Sequence, residues 1–109
     1  MAKWLLVVRT NCIDESKEDE FNKWYNEVHV PDVMEVAGFV KAGRYVSPEM
    51  ASYDNGKYLA IYEIETEDIN KTMELLGKKL VDVFKQGRTS DFIRPVSFGL
   101  FKPIRSFTK

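Results

Sequence analysis

Cysteine and histidine are nearly absent from this chain: Cys12 and His29 are the single examples of each in 109 residues. A lone cysteine closes no internal disulfide, so the expected setting is a reducing, cytoplasmic one. One histidine and one cysteine, 17 residues apart and on different elements, do not form the ligand cluster that zinc or iron takes, so no metal and no cofactor are expected. An excess charge is missing too. Sixteen basic residues face 17 acidic ones, for a formal net charge of −1, which removes the electrostatic case for nucleic acid or an anionic membrane. No apolar run approaches the ~20 residues of a membrane span. Met1-Ala2-Lys3 leads straight into strand-like sequence, so no signal peptide is expected. There is no phosphate-cradling glycine loop, no dinucleotide fingerprint and no Ser-His-Asp spacing.

What is present is apolar and aromatic. A 44% hydrophobic and 13% aromatic content supports a real core, and the length suits a single domain over residues 1–109. Trp4 to Asn11 is a β-type run apolar on both faces, as a central strand requires. Ser16 is positioned to cap a helix from Lys17, with Glu18, Asp19 and Glu20 in the first turn where the helix dipole favours acids. Gly38 releases the chain into a strand over Phe39 to Ser47. Asp54-Asn55-Gly56 closes a loop from Pro48, and Lys57 to Glu65 is the return strand. A second helix is expected from about Glu67 to Gln86, with the stripe Ile69, Met73, Leu76, Leu80, Val83 and Phe84 and a stop at Gly87. Gly77 inside it reads as a close-packing point or a kink. The last strand runs from about Phe92 to Phe101, and Pro95 assigns it to an edge or a bulge.

The order β-α-β-β-α-β is the ferredoxin-like α+β pattern, an antiparallel four-stranded sheet with two helices on one face. Val40, Ala42, Val46, Leu59 and Ile61 are expected on one sheet face, and Phe39, Tyr45, Tyr58 and Tyr62 on the other. Both sets are apolar enough to need covering, and a homodimer through the sheet face is the simple solution.

The helical stretch before Pro31 concentrates the candidate chemistry. Phe21, Trp24, Tyr25 and Val28 fall at i, i+3, i+4 and i+7 and share one face, with His29 at its edge. Pro31 is expected to end the helix near Val28 or His29, turn Val30 toward extended backbone and start a short second turn through Glu35. His29 is then either a general acid or base at a pocket mouth, or a helix-end imidazole bonded to a carbonyl. Asp32 either orients His29 or serves as a first-turn acid. Among the tyrosines, Tyr45 and then Tyr62 are favoured to polarise a substrate oxygen, with Tyr25 and Tyr58 as further candidates and an aromatic core or interface as the alternative. Trp24 is a core residue or a pocket wall. Arg44, like Arg9 and Arg94, needs a partner within its strand, either a substrate anion or an ion pair. Cys12 reads as an inert small residue.

The stretch Trp24-Tyr25 … His29-Val30-Pro31-Asp32 … Gly38-Phe39 … Arg44-Tyr45 resembles the dimeric α+β barrel superfamily, most nearly its EthD-like branch, in which a Tyr-x-x-x-His-x-Pro motif closes the first helix. Tyr25, His29 and Pro31 match that motif. The resemblance implies a sheet-to-sheet dimer and a small-molecule pocket between sheet and helices. It also implies enzymes that work without metal or organic cofactor on phenols, quinones, lactones or polyketide-like rings. On that basis His29 moves a proton, Tyr45 polarises an oxygen, and Trp24, Tyr25, Tyr62, Asp32 and Arg44 hold the substrate. Relatives that handle haem place its ligand on the second long helix, where this chain has no histidine. The alternatives are a non-catalytic binding or accessory protein and a cofactor-free monooxygenase.

Overall fold

The computed structural model describes residues 2–49 and 55–109. Its elements are β1 (Ala2–Cys12), a 3-10 turn (Glu15–Lys17), α1 (Glu18–Trp24), a π turn (Tyr25–His29), α2 (Val30–Met34), β2 (Phe39–Val46), β3 (Tyr58–Thr66), α3 (Ile69–Lys85) and β4 (Ile93–Phe101). The sheet runs β2-β3-β1-β4 with every pairing antiparallel, which is the expected ferredoxin-like topology. β1 is central because both its faces are apolar. β4 lies at an edge, and the register slips opposite Arg9 and Thr10, where Pro95 pairs with Thr10. Pro95 is therefore both at an edge and at a bulge, as a residue without an N–H must be. Asp54 of the proposed Asp54-Asn55-Gly56 turn lies outside the described residues; Gly56 has a φ of +96°.

A second irregularity sorts the sheet faces differently from the plain alternation. In β2, Phe39 pairs with Ile64 and Lys41 with Glu63, so Val40 is an extra residue in the ladder. A bulge of this kind shifts every later side chain to the opposite face. Phe39, Ala42, Arg44 and Val46 consequently pair with Ile64, Tyr62, Ala60 and Tyr58 on the face packed by the helices. Tyr58, Ala60, Tyr62 and Ile64 are all buried there. The open face takes Gly43 and Tyr45 with Ile61 and Leu59, and Leu5 and Val7 on β1 belong to it. The expected grouping of Ala42 and Val46 with Leu59 and Ile61, and of Tyr45 with Tyr62, is thus corrected.

The first helix does not stop at His29. Helical backbone is continuous from Glu18 to Met34, and Val30 is α-helical at φ −61° and ψ −46°, not extended. The Val30 N–H reaches back five residues to the Tyr25 carbonyl. This wider turn explains how Pro31 is accommodated: an inserted residue opens the helix where the proline ring would meet a carbonyl of the preceding turn. The helix entry also differs. Asp14, not Ser16, is the cap, and its Oδ1 accepts from the Ser16 N–H at 3.0 Å and the Ser16 hydroxyl at 2.7 Å.

α3 behaves as its pattern suggests, starting two residues later than expected. The Asp68 side chain caps it by accepting from the Lys71 N–H. At its end Gly87 adopts φ +69°, Arg88 N–H bonds the Val83 carbonyl and Gly87 N–H the Phe84 carbonyl, which is a Schellman closure. The core gathers around Phe21, Tyr25, Tyr62 and Ile64, each 2% exposed or less.

Candidate functional site

Between the sheet and α3 lies a cleft of about 270 Å³. Leu6 and Val8 of β1 and Tyr62 of β3 form its floor, and Phe98 of β4 one rim. His29 and Val33 approach from the first helical segment, and Met73, Leu76, Gly77 and Leu80 from α3. The α3 stripe is legible in the sequence as an apolar face, yet a stripe reads equally as core; here part of it is cleft wall. Gly77 explains the opening. A Cβ built there meets nothing within 4 Å, so it is neither a close-packing point nor, in a helix continuous from Ile69 to Lys85, a break. A mid-helix glycine costs about 1 kcal/mol relative to alanine, and what it leaves here is space beside the cleft.

Among the side chains lining the cleft, His29 and Tyr62 carry nitrogen or oxygen. The imidazole stacks on Trp24 at 4.9 Å between centroids, 25° from parallel, and meets the Tyr25 ring edge-on at 4.8 Å. Burial among these groups pushes the His29 pKa down to about 4; the Asp32 carboxylate pulls the other way and the Arg44 guanidinium adds to the drop. At neutral pH the ring is therefore uncharged, an acceptor as well as a donor. The Tyr62 hydroxyl is buried beside the Tyr25 phenol. Its burial, with the neighbouring Tyr25 phenol, pushes its pKa far up, so it stays protonated.

The remaining sequence candidates divide sharply. Trp24 is a wall behind His29, and its indole N–H donates to the Arg88 carbonyl at 3.0 Å. Asp32 is buried and held by Arg88 through two bonds, Nε to Oδ2 at 2.9 Å and Nη2 to Oδ1 at 2.8 Å. This ion pair, more than a helix end, keeps the Asp32 carboxyl below the usual range. Arg88 was not singled out by sequence reasoning, because nothing in a residue just past a helix stop announces a partner 56 positions earlier. It clasps the helical segment on both sides of His29, through Trp24 and through Asp32. Tyr25 is fully buried and lies outside the cleft lining. Tyr45 lies on the open sheet face beside Leu59, its ring folded over Gly43, and does not line the cleft. Its expected nearness to His29 is overturned by the Val40 bulge. Arg44 is on the helix side but outside the His29 cleft: its guanidinium lies over the Tyr25 ring, 4.0 Å from the centroid. Among the described residues no group of three or more potential metal ligands occurs, and no helix is long and apolar enough to cross a membrane.

Known proteins share this architecture. SnoaB, a cofactor-independent oxygenase from Streptomyces nogalater, superposes with a TM-score of 0.65 over 100% of both chains at 12% identity. An ethyl tert-butyl ether D (EthD) family protein from Bacillus halodurans gives 0.62 at 11% identity, over 95% of this chain and 100% of that one. A dimeric ferredoxin-like protein from an uncultured marine organism gives 0.65 at 14% identity, over 98% and 99%. At such identities the likeness is one of fold, and it bears out the ferredoxin-like α+β barrel architecture. No curated protein matches the sequence at a significant level. One family model does match, over residues 5–86, from the first strand through the last helix. The chain therefore belongs to the DUF4286 family, described as a domain of unknown function.

Proposed function

We propose that the cleft binds an apolar, oxygen-bearing small molecule and that His29 moves a proton on it. The observation that carries this reading is an imidazole set into a largely apolar cleft, stacked on Trp24 and met edge-on by Tyr25. An imidazole whose conjugate acid has a pKa of about 4 is a weak base, so only the more acidic C–H and O–H groups come within its reach. This favours enolisable β-keto compounds and acidic phenols over simple alcohols or hydrocarbons. The substrate proton passes to the His29 ring and returns at a second position, so the step is an isomerisation or ring closure with no oxidant. Tyr62 serves as cleft floor.

One observation favours a second reading, a binding protein without catalysis. Asp32, the carboxylate whose charge acts on His29, is engaged by Arg88, and a general base is ordinarily oriented by such a group. The fold shared with a cofactor-independent oxygenase supports a third, oxygen-consuming reading. A homodimer through the open sheet face fits the apolar, half-buried Leu5, Val7, Leu59 and Ile61 there. The Lys41–Glu63 and Lys3–Glu65 ion pairs fringe that patch.

The deciding experiment is a thermal-shift and turnover panel of phenols, quinones, lactones and β-keto compounds on wild type and His29→Ala. A compound that stabilises wild type, is converted by it and returns unchanged from the well-folded variant supports proton transfer. Binding without conversion in either protein establishes the second reading, and oxygen uptake with wild type the third.

A further inference from the structure

A second cleft, of about 310 Å³, opens between α1, the π turn and strands β2 and β3, lined by Asn22, Asn26, Arg44, Tyr45, Val46 and Tyr58. It shares no lining residue with the His29 cleft. Its character is set by Arg44. The guanidinium is partly buried, lies over the Tyr25 ring, and donates from Nη1 to Asn26 Oδ1 at 2.8 Å and from Nη2 to Asn22 Oδ1 at 2.9 Å. Both acceptors are neutral amides, and no carboxylate pairs with Arg44 among the described residues. A guanidinium has five N–H donors, and a desolvated cation is stabilised most by an anion that takes two of them side by side. Burial already pushes its pKa down, as an incompletely compensated charge requires.

The neighbouring groups narrow the kind of anion. Glu18 accepts from the Tyr58 hydroxyl at 2.6 Å and from Lys57 at 2.9 Å, and Asn22 Nδ2 donates to the same hydroxyl at 3.3 Å. The Glu18 charge is balanced by Lys57, so Arg44 is the one cation of the lining without a carboxylate among the described residues, and it matches a singly charged anion better than a doubly charged phosphate. Val46, on the same strand face as Arg44, supplies apolar surface beside it. We propose that this cleft is a binding site for a small organic carboxylate with an apolar body, received by Arg44 and separate from the His29 cleft.

The test is calorimetric titration of benzoate, with benzyl alcohol and inorganic phosphate alongside, into wild type, Arg44→Gln, Val46→Glu and His29→Ala. Benzoate is expected to bind wild type and to weaken roughly ten- to hundredfold in Arg44→Gln, the loss typical of a charged hydrogen-bond partner. Val46 is exposed and lies two residues from Arg44 on the same strand face. A glutamate there is expected to pair with Arg44 from within, raising the melting temperature while displacing benzoate. His29→Ala is expected to leave benzoate binding unchanged. Benzyl alcohol binding as tightly as benzoate, phosphate binding more tightly, or benzoate binding indifferent to Val46→Glu each overturns the assignment. So does loss of benzoate in His29→Ala, which moves the anion to the other cleft. Should Arg44→Gln fail to fold, Val46→Glu decides the matter, because it alters an exposed residue.

Discussion

The two helical layers of this protein were built by different rules. α3 is regular, with an aspartate cap, a repeating apolar stripe and a glycine Schellman stop, each feature local in sequence. The helical segment from Glu18 to Met34 is irregular: it begins in a 3-10 turn, widens at Tyr25–His29 and runs through Pro31. The irregular segment carries the histidine, the tryptophan stacked on it and the tyrosine shared with Arg44. The regular one carries a gap, Gly77. Chemistry sits where the backbone departs from its default, and space sits where a side chain is missing. π turns of one inserted residue are frequent at functional sites, and this one turns His29 against Trp24 and Tyr25.

Five substitutions, at four positions, press on that contrast. The largest effect is expected at Tyr25, 1% exposed and in ring contact with Phe21, Trp24 and His29. Tyr25→Ala should lower stability by about 3–5 kcal/mol in urea denaturation, as for other large buried aromatics. A loss below about 1 kcal/mol would show that the irregular segment does not depend on this ring.

The next effect is a pH dependence. The His29 pKa is depressed in the folded protein to about 4 from 6.5. The unfolded chain therefore binds the proton first as pH falls, and the His29 contribution, complete above pH 6.5, is lost between 6.5 and 4. It amounts to at most about 3 kcal/mol. His29→Phe should flatten the stability profile across that window relative to wild type. An unchanged slope would mean that the imidazole is not desolvated. Asp32 adds a separate loss at lower pH, since its carboxyl is held below the usual range by Arg88.

On the regular helix, Gly77→Ala should raise stability by about 1 kcal/mol, because the alanine methyl meets no neighbour and glycine is the poorer helix former. Gly77→Leu should remain folded yet lose the ligands that wild type binds beside His29. Retained binding would place those ligands elsewhere. The smallest effect is expected at the exposed Pro31: Pro31→Ala should change stability by no more than about 0.5 kcal/mol, because the widened turn already accommodates a residue with or without an N–H. A large gain would mean that the proline strains the helix.

Much of this was legible beforehand, for identifiable reasons. Pro95 announced an edge strand because a missing N–H leaves a gap no central ladder accepts. Gly87 announced a helix end because its left-handed backbone is disfavoured elsewhere. Tyr25, His29 and Pro31 announced the family likeness of the fold. The errors share a cause as well. Pro31 was read as a terminator because a π turn has no composition of its own. Tyr45 was assigned beside His29 because one unpaired residue, Val40, inverts the parity of everything after it in β2.

Element order, the apolar stripe of α3, the central place of β1 and the neutral charge balance follow from the chain alone, since periodicity, capping and backbone stereochemistry act over a few residues. Three matters needed the folded molecule: the pairing of Asp32 with Arg88, the stacking of Arg44 on Tyr25, and the emptiness beside Gly77. Each depends on where elements tens of residues apart come to rest. Coulomb attraction, ring contact and free volume act across space, and leave no spacing along the chain for a reader of sequence to find.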